Sequence, residues 1–215
     1  MMAIAYALAL LFQPGHQTPP PVEEYARVLE DPKRDSWQKP DQVVAALRLK
    51  PTDIVADIGA GSGYFTRRIA PLAATVYAVE VDRSMLDVVT QRAPKNLIPV
   101  LASPDDPKLP TRSVDVIFMC DVLHHIDGRP AYYEKLKKAL KPGGRVVVVD
   151  FYKKALPVGP PPARKLSVTQ VSAEFRASGF RVSKSLDFLP YQYFLVFHFH
   201  GASRGWTLRN LLPPG

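Results

Sequence analysis

The sequence predicts an α/β domain with a doubly wound, mostly parallel seven-stranded sheet, and three observations support this fold class. Unbroken apolar runs, such as residues 54–58 and 146–149, are typical of strands that are buried on both faces. Segments with helical spacing separate these runs, as expected when helices connect parallel strands. The connection between the last two runs is too short for a parallel crossover, so the last strand should be antiparallel.

Each element follows from a local pattern in the sequence. The apolar runs predict strands over residues 54–58, 76–81, 97–101, 114–119, 145–150, 180–182 and 191–199. Helical spacing predicts helices over residues 22–29, 40–47, 64–72, 84–92, 131–140 and 168–178. We expect Pro142, Gly143 and Gly144 to stop the fifth of these helices, and Gly179 to stop the sixth. The proline-rich loop over residues 153–165 comes after the fifth strand, at the edge where such sheets bind ligands.

Size and charge set broad limits on organisation. A chain of 215 residues is expected to hold one main domain, here residues 21–200, with an N-terminal segment 1–20 and a tail 201–215. The net charge is +8, but the basic residues are scattered in pairs rather than gathered into the footprint that nucleic-acid binding needs. Cys120 is the single cysteine, which excludes an internal disulfide and suggests a buried thiol.

The N-terminal segment contains the apolar run AIAYALALLF at residues 3–12. Ten residues are too few to span a bilayer as a helix, but they match the length of a signal-peptide core. No basic residue precedes the run, and its one A-x-A pattern lies inside it. A signal or anchor, a misassigned start and a docked helix therefore all stay open.

The stretch VADIGAGSGYFT, at residues 55–66, places three glycines directly after the first predicted strand. Glycines at such a turn let the backbone approach a ligand closely. Gly59, Gly61 and Gly63 form G-x-G-x-G, whereas the dinucleotide fingerprint is G-x-G-x-x-G and Tyr64 stands where its third glycine would be. No G-K-[ST] comes after it, which excludes a phosphate-binding P-loop. Asp57 would repel a pyrophosphate but suits a ligand that carries an ammonium group.

Glu80 gives a second signal, because it ends the second predicted strand about 20 residues after the glycines. A carboxylate at this position accepts hydrogen bonds from the two hydroxyls of an adenosine ribose. Together the two signals predict a site for an adenosine-containing cofactor.

The D-x-G-x-G-x-G motif, Glu80 at a strand tip and SVDVIFMCDVLHHI at residues 113–126 together resemble the class I S-adenosylmethionine-dependent methyltransferases. The resemblance covers residues 37–199 and is strongest to the small-molecule, methyltransferase type 11-like group, which has a Rossmann-like fold. It implies S-adenosylmethionine as cofactor, S-adenosylhomocysteine as product and a small-molecule methyl acceptor.

The resemblance also assigns residues to the parts of the cofactor. The methionine part would be lined by Asp57, Gly59, Ala60, Gly61 and Gly63. Glu80 would hold the ribose, Val81 and Met85 would pack on the adenine, and Asp121 would lie beside the sulfonium. Asp105 is our choice for the adenine amino group, with Ser103 as its competitor.

Catalysis of methyl transfer requires mainly orientation of the reactants, together with a base when the acceptor must lose a proton. Asp121, His124 and His125 are spaced so that a helix would bring the acid next to the histidines. His124 is the candidate base and Asp121 its candidate partner, while a packing role for His124 is the alternative. No metal site is predicted, because nothing completes a ligand set around His198 and His200. Tyr25 and Trp37 precede the first strand, where such enzymes often carry a lid.

The acceptor class is indicated by the residues that come after the fourth strand. Methyltransferases of DNA amino groups usually carry D/N-P-P-Y there, and cytosine C5 enzymes a Pro-Cys, whereas this chain has CDVLHH at residues 120–125. A small-molecule acceptor is therefore favoured over nucleic acid or protein, and an NAD-binding dehydrogenase remains the alternative of another class. Because S-adenosylmethionine is a cytosolic cofactor, we expect a cytoplasmic enzyme, with membrane association or export through residues 1–20 left open.

Overall fold

A computed structural model describes residues 21–91 and 93–199. The apolar N-terminal segment, His200 and the predicted tail lie outside the described residues, so the predictions made for them have no structural counterpart here. Within the described parts of the chain, no helix is long and apolar enough to cross a membrane.

A seven-stranded sheet forms the centre of the fold, in the order β3-β2-β1-β4-β5-β7-β6. Its strands are β1 Ile54–Ile58, β2 Thr75–Glu80, β3 Leu97–Leu101, β4 Val114–Cys120, β5 Leu140–Phe151, β6 Phe180–Leu186 and β7 Gln192–Phe199. β7 is antiparallel to both β5 and β6, and the other neighbours are parallel. The predicted fold class and the antiparallel last strand are confirmed.

Helices cover both faces of this sheet. The α-helices are α1 Val22–Leu29, α2 Asp35–Gln38, α3 Pro40–Leu47, α4 Thr66–Ile69, α5 Arg83–Gln91, α6 Arg129–Ala139 and α7 Val168–Ala177. Short 3₁₀ helices lie at Pro32–Arg34, Ala70–Leu72, Leu123–His125 and Pro162–Arg164. The predicted helix over residues 64–72 is therefore shorter than expected and ends in a 3₁₀ turn.

The start of β5 corrects one prediction. Pro142, Gly143 and Gly144 do not stop the preceding helix, which ends at Ala139, but belong to β5 itself. Leu140 pairs with Val114, whereas Arg145 pairs with Val116, so the residues between them bulge out of the ladder. A bulge accommodates proline and glycine in a strand, because the extra residues leave the regular pairing.

Two apolar layers hold the helices against the sheet. One layer contains Ile117, Val148, Tyr133 and Phe175 and joins the sheet to α6 and α7. The other contains Val116, Val147 and Phe65 and joins it to α3 and α4. Burial of strands on both faces explains their unbroken apolar sequence, and it fixes the carboxyl ends of β1, β2 and β4 side by side.

Candidate functional site

The carboxyl ends of β1, β2 and β4 open into a cavity of about 670 Å³. Its volume lies within the range of pockets that hold a small molecule or cofactor, about 300–1,000 Å³. Nine predicted site residues line it, namely Asp57, Gly59, Ala60, Gly61, Glu80, Val81, Met85, Ser103 and Asp121. Gly63, Asp105 and His124 were also predicted for the site but do not line the cavity.

The glycine turn after β1 forms the floor of the cavity. The N–H groups of Gly59 and Ala60 both donate to the Val79 carbonyl, at 2.8 and 3.1 Å, which ties the turn to β2. Gly59 has φ +72°, and a Cβ on it would overlap the Val122 side chain. Gly63 closes the turn by donating its N–H to the Ala60 carbonyl at 2.8 Å. The positive φ and the contact with Val122 therefore restrict position 59 to glycine.

Glu80 lies at the tip of β2, beside this turn. Its carboxylate accepts the backbone N–H groups of Gly61 at 2.9 Å, Val81 at 2.7 Å and Asp82 at 3.1 Å. These bonds fix the direction of the side chain and leave about one acceptor position for a ligand in the cavity, because a carboxylate accepts about four hydrogen bonds.

Asp57 is almost fully buried at the end of β1. Its Oδ2 accepts the Thr66 hydroxyl at 2.6 Å. Burial raises the pKa of Asp57 to about 6, and the hydrogen bond from Thr66 only partly opposes that shift. A buried carboxylate that is hard to ionise gains from a cationic group placed next to it.

Asp121 follows β4 and lines the same cavity with its backbone in the left-handed region, at φ +59°. Gln192 Nε2 donates to its Oδ1 at 2.5 Å, and Arg34 Nη2 lies 3.7 Å from its Oδ2. Burial, followed by the nearby Asp150 charge, raises the pKa of Asp121 to about 6. The left-handed turn directs the chain from β4 into the Leu123–His125 turn and holds the carboxylate at the cavity.

The two adjacent histidines occupy different environments. His124 is buried behind the cavity wall, with Nδ1 2.8 Å from Asp150 Oδ1. Its Nε2 is buried and has no hydrogen-bond partner among the described residues. Burial lowers the pKa of His124, but the hydrogen bond and charge of Asp150 outweigh it, so the net shift is upward.

His125 lines the cavity instead. Burial, followed by the charge of His124, lowers the pKa of His125 to about 4, so this ring is neutral at pH 7. The predicted helix is a single 3₁₀ turn. The two rings are in contact, with centroids 4.1 Å apart, but only His125 lines the cavity.

The loop after β3 separates the two candidates for the adenine contact. Ser103 lines the cavity, whereas the Asp105 side chain is 80% exposed and lies 3.5 Å from Lys135 Nζ. Ser103 Oγ donates to Asp105 Oδ1 at 2.9 Å, so the acid reaches the cavity only through the serine. The geometry favours Ser103 of the two.

Residues 22–37 form the opposite wall of the cavity, which we call the cover. Tyr25 and Trp37 line the cavity from this side. Glu30 fastens the cover to the glycine turn by accepting from Ser62 Oγ and Arg67 Nη2, both at 2.5 Å. The expected lid position is therefore occupied by α1 and the turns that come after it.

Sequence reasoning missed three residues of this site. Arg34 and His125 line the cavity, and Asp150 fixes the His124 ring. Asp150 ends the apolar β5 run just as Asp57 nearly ends β1, a parallel that could have pointed to it. Arg34 has no such signal, because its place depends on contacts distant in sequence. The proline-rich loop, expected near the ligand, contributes no described residue to the cavity lining and packs Gly159 against the Phe151 ring.

Comparison with known proteins decides the family. A family model described as a methyltransferase domain matches residues 56–148. A solved S-adenosylmethionine-dependent methyltransferase from Aquifex aeolicus has a TM-score of 0.76 and 25% identity, over 82% of this chain and 97% of that one. The chain carries a class I S-adenosylmethionine-dependent methyltransferase domain.

Two curated relatives of this methyltransferase domain match it over shorter stretches. The biotin biosynthesis bifunctional protein BioHC of Cellvibrio japonicus is 34% identical over 43% of this chain and 18% of its own length. A demethylmenaquinone methyltransferase of Tropheryma whipplei is 33% identical over 45% of this chain and 41% of its own length. The matches thus span less than half the length of either relative.

Proposed function

We propose that this domain binds S-adenosylmethionine in the cavity and transfers its methyl group to a small-molecule acceptor. One observation carries the proposal: the glycine backbone after β1 and the Glu80 carboxylate at the tip of β2 face a single cavity. A backbone surface without Cβ atoms suits a closely held cofactor, and a strand-tip carboxylate suits a ribose. The match to a methyltransferase domain agrees with this combination of glycine backbone and carboxylate.

The cavity residues fit the chemically distinct parts of this cofactor. Asp57 and Asp121 offer carboxylates to its ammonium group and to the positive charge of its sulfonium. Glu80 offers its remaining acceptor position to the ribose hydroxyls, and Val81 and Met85 offer apolar surface to the adenine. We assign Ser103 rather than Asp105 to the adenine amino group, because only the serine lines the cavity.

The cofactor supplies an activated methyl group, so the protein has to orient the acceptor and receive any proton it releases. Asp57, Asp121 and His125 line the cavity and can accept a proton; burial raises the pKa of both acids to about 6 and lowers that of His125 to about 4. We assign the base role to Asp121, because its side chain is 15% exposed, whereas Asp57 is 3% exposed and bonded to Thr66. We give His124 a positioning role, because it lies behind the wall and is bonded to Asp150.

Turnover at matched cofactor saturation tests this division of roles. We expect Asp121→Asn to lower kcat by about 10²–10⁴-fold, the usual loss when a general base is removed. His124→Asn should retain most activity. A full loss in His124→Asn with normal folding and cofactor affinity would return the base role to His124.

Two observations support a small-molecule acceptor. The cover contributes Tyr25 and Trp37 to the cavity, and α6 contributes Tyr132, so aromatic side chains form part of its wall. The two curated relatives described above are named for demethylmenaquinone and for biotin biosynthesis. We propose an acceptor with an apolar or aromatic portion, and we place the enzyme in the cytoplasm, where its cofactor is made.

Thermal shift separates this proposal from the dehydrogenase alternative. Stabilisation by S-adenosylhomocysteine but not by NAD or NADP is the expected result. Stabilisation by NAD alone would overturn the proposal. A methyl-release assay over a panel of quinones, phenols, carboxylic acids, tRNA and protein extract then identifies the acceptor, and turnover on tRNA or protein alone would refute the acceptor class.

A further inference from the structure

We propose that Arg34 binds the carboxylate of the cofactor's amino-acid part, making the cover a component of the cofactor site. This inference rests on the proposed function, since it concerns the same cavity and ligand. Neither the predicted motifs nor the matched region at residues 56–148 includes Arg34, which ends the 3₁₀ turn Pro32–Arg34.

The charges around the cavity single out this residue. Among the described residues that line it, Arg34 is the only lysine or arginine, whereas the acids are Asp31, Asp57, Glu80, Asp82 and Asp121. The amino-acid part of S-adenosylmethionine is a zwitterion, with a carboxylate as well as an ammonium group. The acids can receive the ammonium group, but a buried carboxylate needs a cation or several N–H donors.

The guanidinium has a donor face left for such a ligand. Nε donates to Gln38 Oε1 at 3.1 Å and Nη1 donates to the Leu29 carbonyl at 3.0 Å, so both nitrogens are fixed from the cover side. Nη2 lies 3.7 Å from Asp121, beyond hydrogen-bond distance. An arginine held on one side and open on the other is suited to a carboxylate, which it binds through charge-assisted hydrogen bonds.

The Arg34 side chain also packs on an aromatic ring next to the glycine turn. Its Cζ lies 4.3 Å from the centre of the Tyr64 ring, and Tyr64 follows the turn directly. The side chain is only 13% exposed, so the surrounding residues restrict its conformations. Packing of this kind lowers the conformational cost of binding.

Arg68 provides a matched control. Its Cζ lies 4.1 Å from the same Tyr64 ring, and its Nη2 lies 3.6 Å from Asp35, but it does not line the cavity. Loss of Arg68 therefore removes the same kind of ring contact and ion pair without removing a cavity cation.

Calorimetric titration of the full chain with two ligands tests the proposal. One ligand is S-adenosylhomocysteine, and the other is its decarboxylated analogue S-adenosyl-3-thiopropylamine, which keeps the amine and loses the carboxylate. We expect Arg34→Met to weaken binding of S-adenosylhomocysteine by about 10–100-fold, the range for a charged hydrogen bond, and binding of the analogue by less than about threefold. Arg68→Met should change neither affinity by more than about threefold.

The comparison of two ligands within one variant separates a local role from a loss of structure. Equal weakening of both ligands in Arg34→Met would make the arginine merely structural and overturn the inference, as would unchanged binding of both. If the unmodified chain bound S-adenosylhomocysteine while Arg34→Met showed no selective loss, only this inference would fall. Failure of the unmodified chain to bind S-adenosylhomocysteine would instead refute the proposed function together with it.

Discussion

The two walls of the cavity are built in different ways. The sheet wall consists of the turns after β1, β2, β3 and β4, and its shape comes from backbone hydrogen bonds, such as those from Gly59 and Ala60 to Val79. The cover, residues 22–37, is held by side chains, with Glu30 on Ser62 and Arg67 and with Arg34 near Asp121. The sheet wall is therefore set by the strand pairing of the fold, whereas the position of the cover depends on side-chain contacts.

This difference sets the order of the effects expected from mutation. Changes in the sheet wall alter the surface on which the cofactor lies, so they should be severe. Changes in the cover that do not touch the ligand, such as loss of the Glu30 contacts, should be milder, because partly exposed ion pairs contribute little, typically about 0–1 kcal/mol.

Gly59→Ala should have the largest effect. The substitution places a Cβ at φ +72° and against the Val122 side chain, so the turn must move. We expect affinity for S-adenosylhomocysteine to fall by more than about 100-fold, as measured by calorimetry. Gly143→Ala is the control, because Gly143 has φ +81° but open space around it and does not line the cavity. Equal loss in both variants would mean that backbone strain, not the turn's surface, is responsible.

Glu80→Ala should have the next largest effect. Loss of hydrogen bonds to a charged group costs on the order of 1.5–3 kcal/mol, which is about one to two decades in affinity. Glu80→Gln keeps one acceptor, so its affinity for S-adenosylhomocysteine should lie between those of the unmodified chain and Glu80→Ala. Asp87→Ala, on the exposed face of α5, should leave affinity unchanged. Wild-type affinity in Glu80→Ala would place the ribose elsewhere.

Asp57→Asn should stabilise the free domain while weakening cofactor binding. The pKa of Asp57 is raised to about 6 in the fold, against about 3.9 in an unfolded chain, so the folded state binds its proton more tightly. The carboxyl group therefore costs stability as the pH rises from about 4 to 6, and the whole cost is present above pH 6.

Thermal unfolding at two pH values checks this sign. We expect Asp57→Asn to be more stable than the unmodified domain at pH 7.5, by on the order of 1–3 kcal/mol, with the difference shrinking toward pH 4. A variant that is less stable at pH 7.5 would show that the carboxylate is paired in the free domain.

Glu30→Gln should have the smallest effect. It weakens the contacts of the cover with Ser62 and Arg67 without changing the sheet wall. We expect affinity to fall by about two- to fivefold, mainly through faster dissociation in stopped-flow measurements. Glu134→Gln, which alters an ion pair with Lys137 on α6, is the control. A loss of affinity as large as that of Glu80→Ala would show that the contacts of Glu30 are as important for binding as the sheet wall.

The same contrast explains what could be predicted from the sequence. Asp57, Gly59 and Glu80 lie at strand ends, so motif and strand pattern together pointed to residues that line the cavity. Arg34 reaches the cavity only because contacts distant in sequence, such as Gln38 with Gln192 at 2.7 Å, seat the cover on the sheet. No local pattern encodes such contacts.

Small local irregularities account for the remaining differences. The β4–β5 bulge turned Pro142 from a helix stop into part of a strand. Residues 123–125 form a single 3₁₀ turn instead of a full helix, and in this turn His125 lines the cavity whereas His124 bonds to Asp150. The bulge and the turn each depend on the exact position at which a helix or strand begins or ends. Periodicity in the sequence does not fix such boundaries to within one or two residues.

Hydrogen–deuterium exchange with and without S-adenosylhomocysteine tests most directly whether both walls form one cofactor site. We predict slower exchange in peptides covering residues 59–66 and 80–86 of the sheet wall and, in the same experiment, in peptides covering residues 22–37 of the cover. NAD at the same concentration should protect neither wall. Protection by NAD, or exchange that S-adenosylhomocysteine leaves unchanged in either wall, would contradict a cofactor site shared by the two walls.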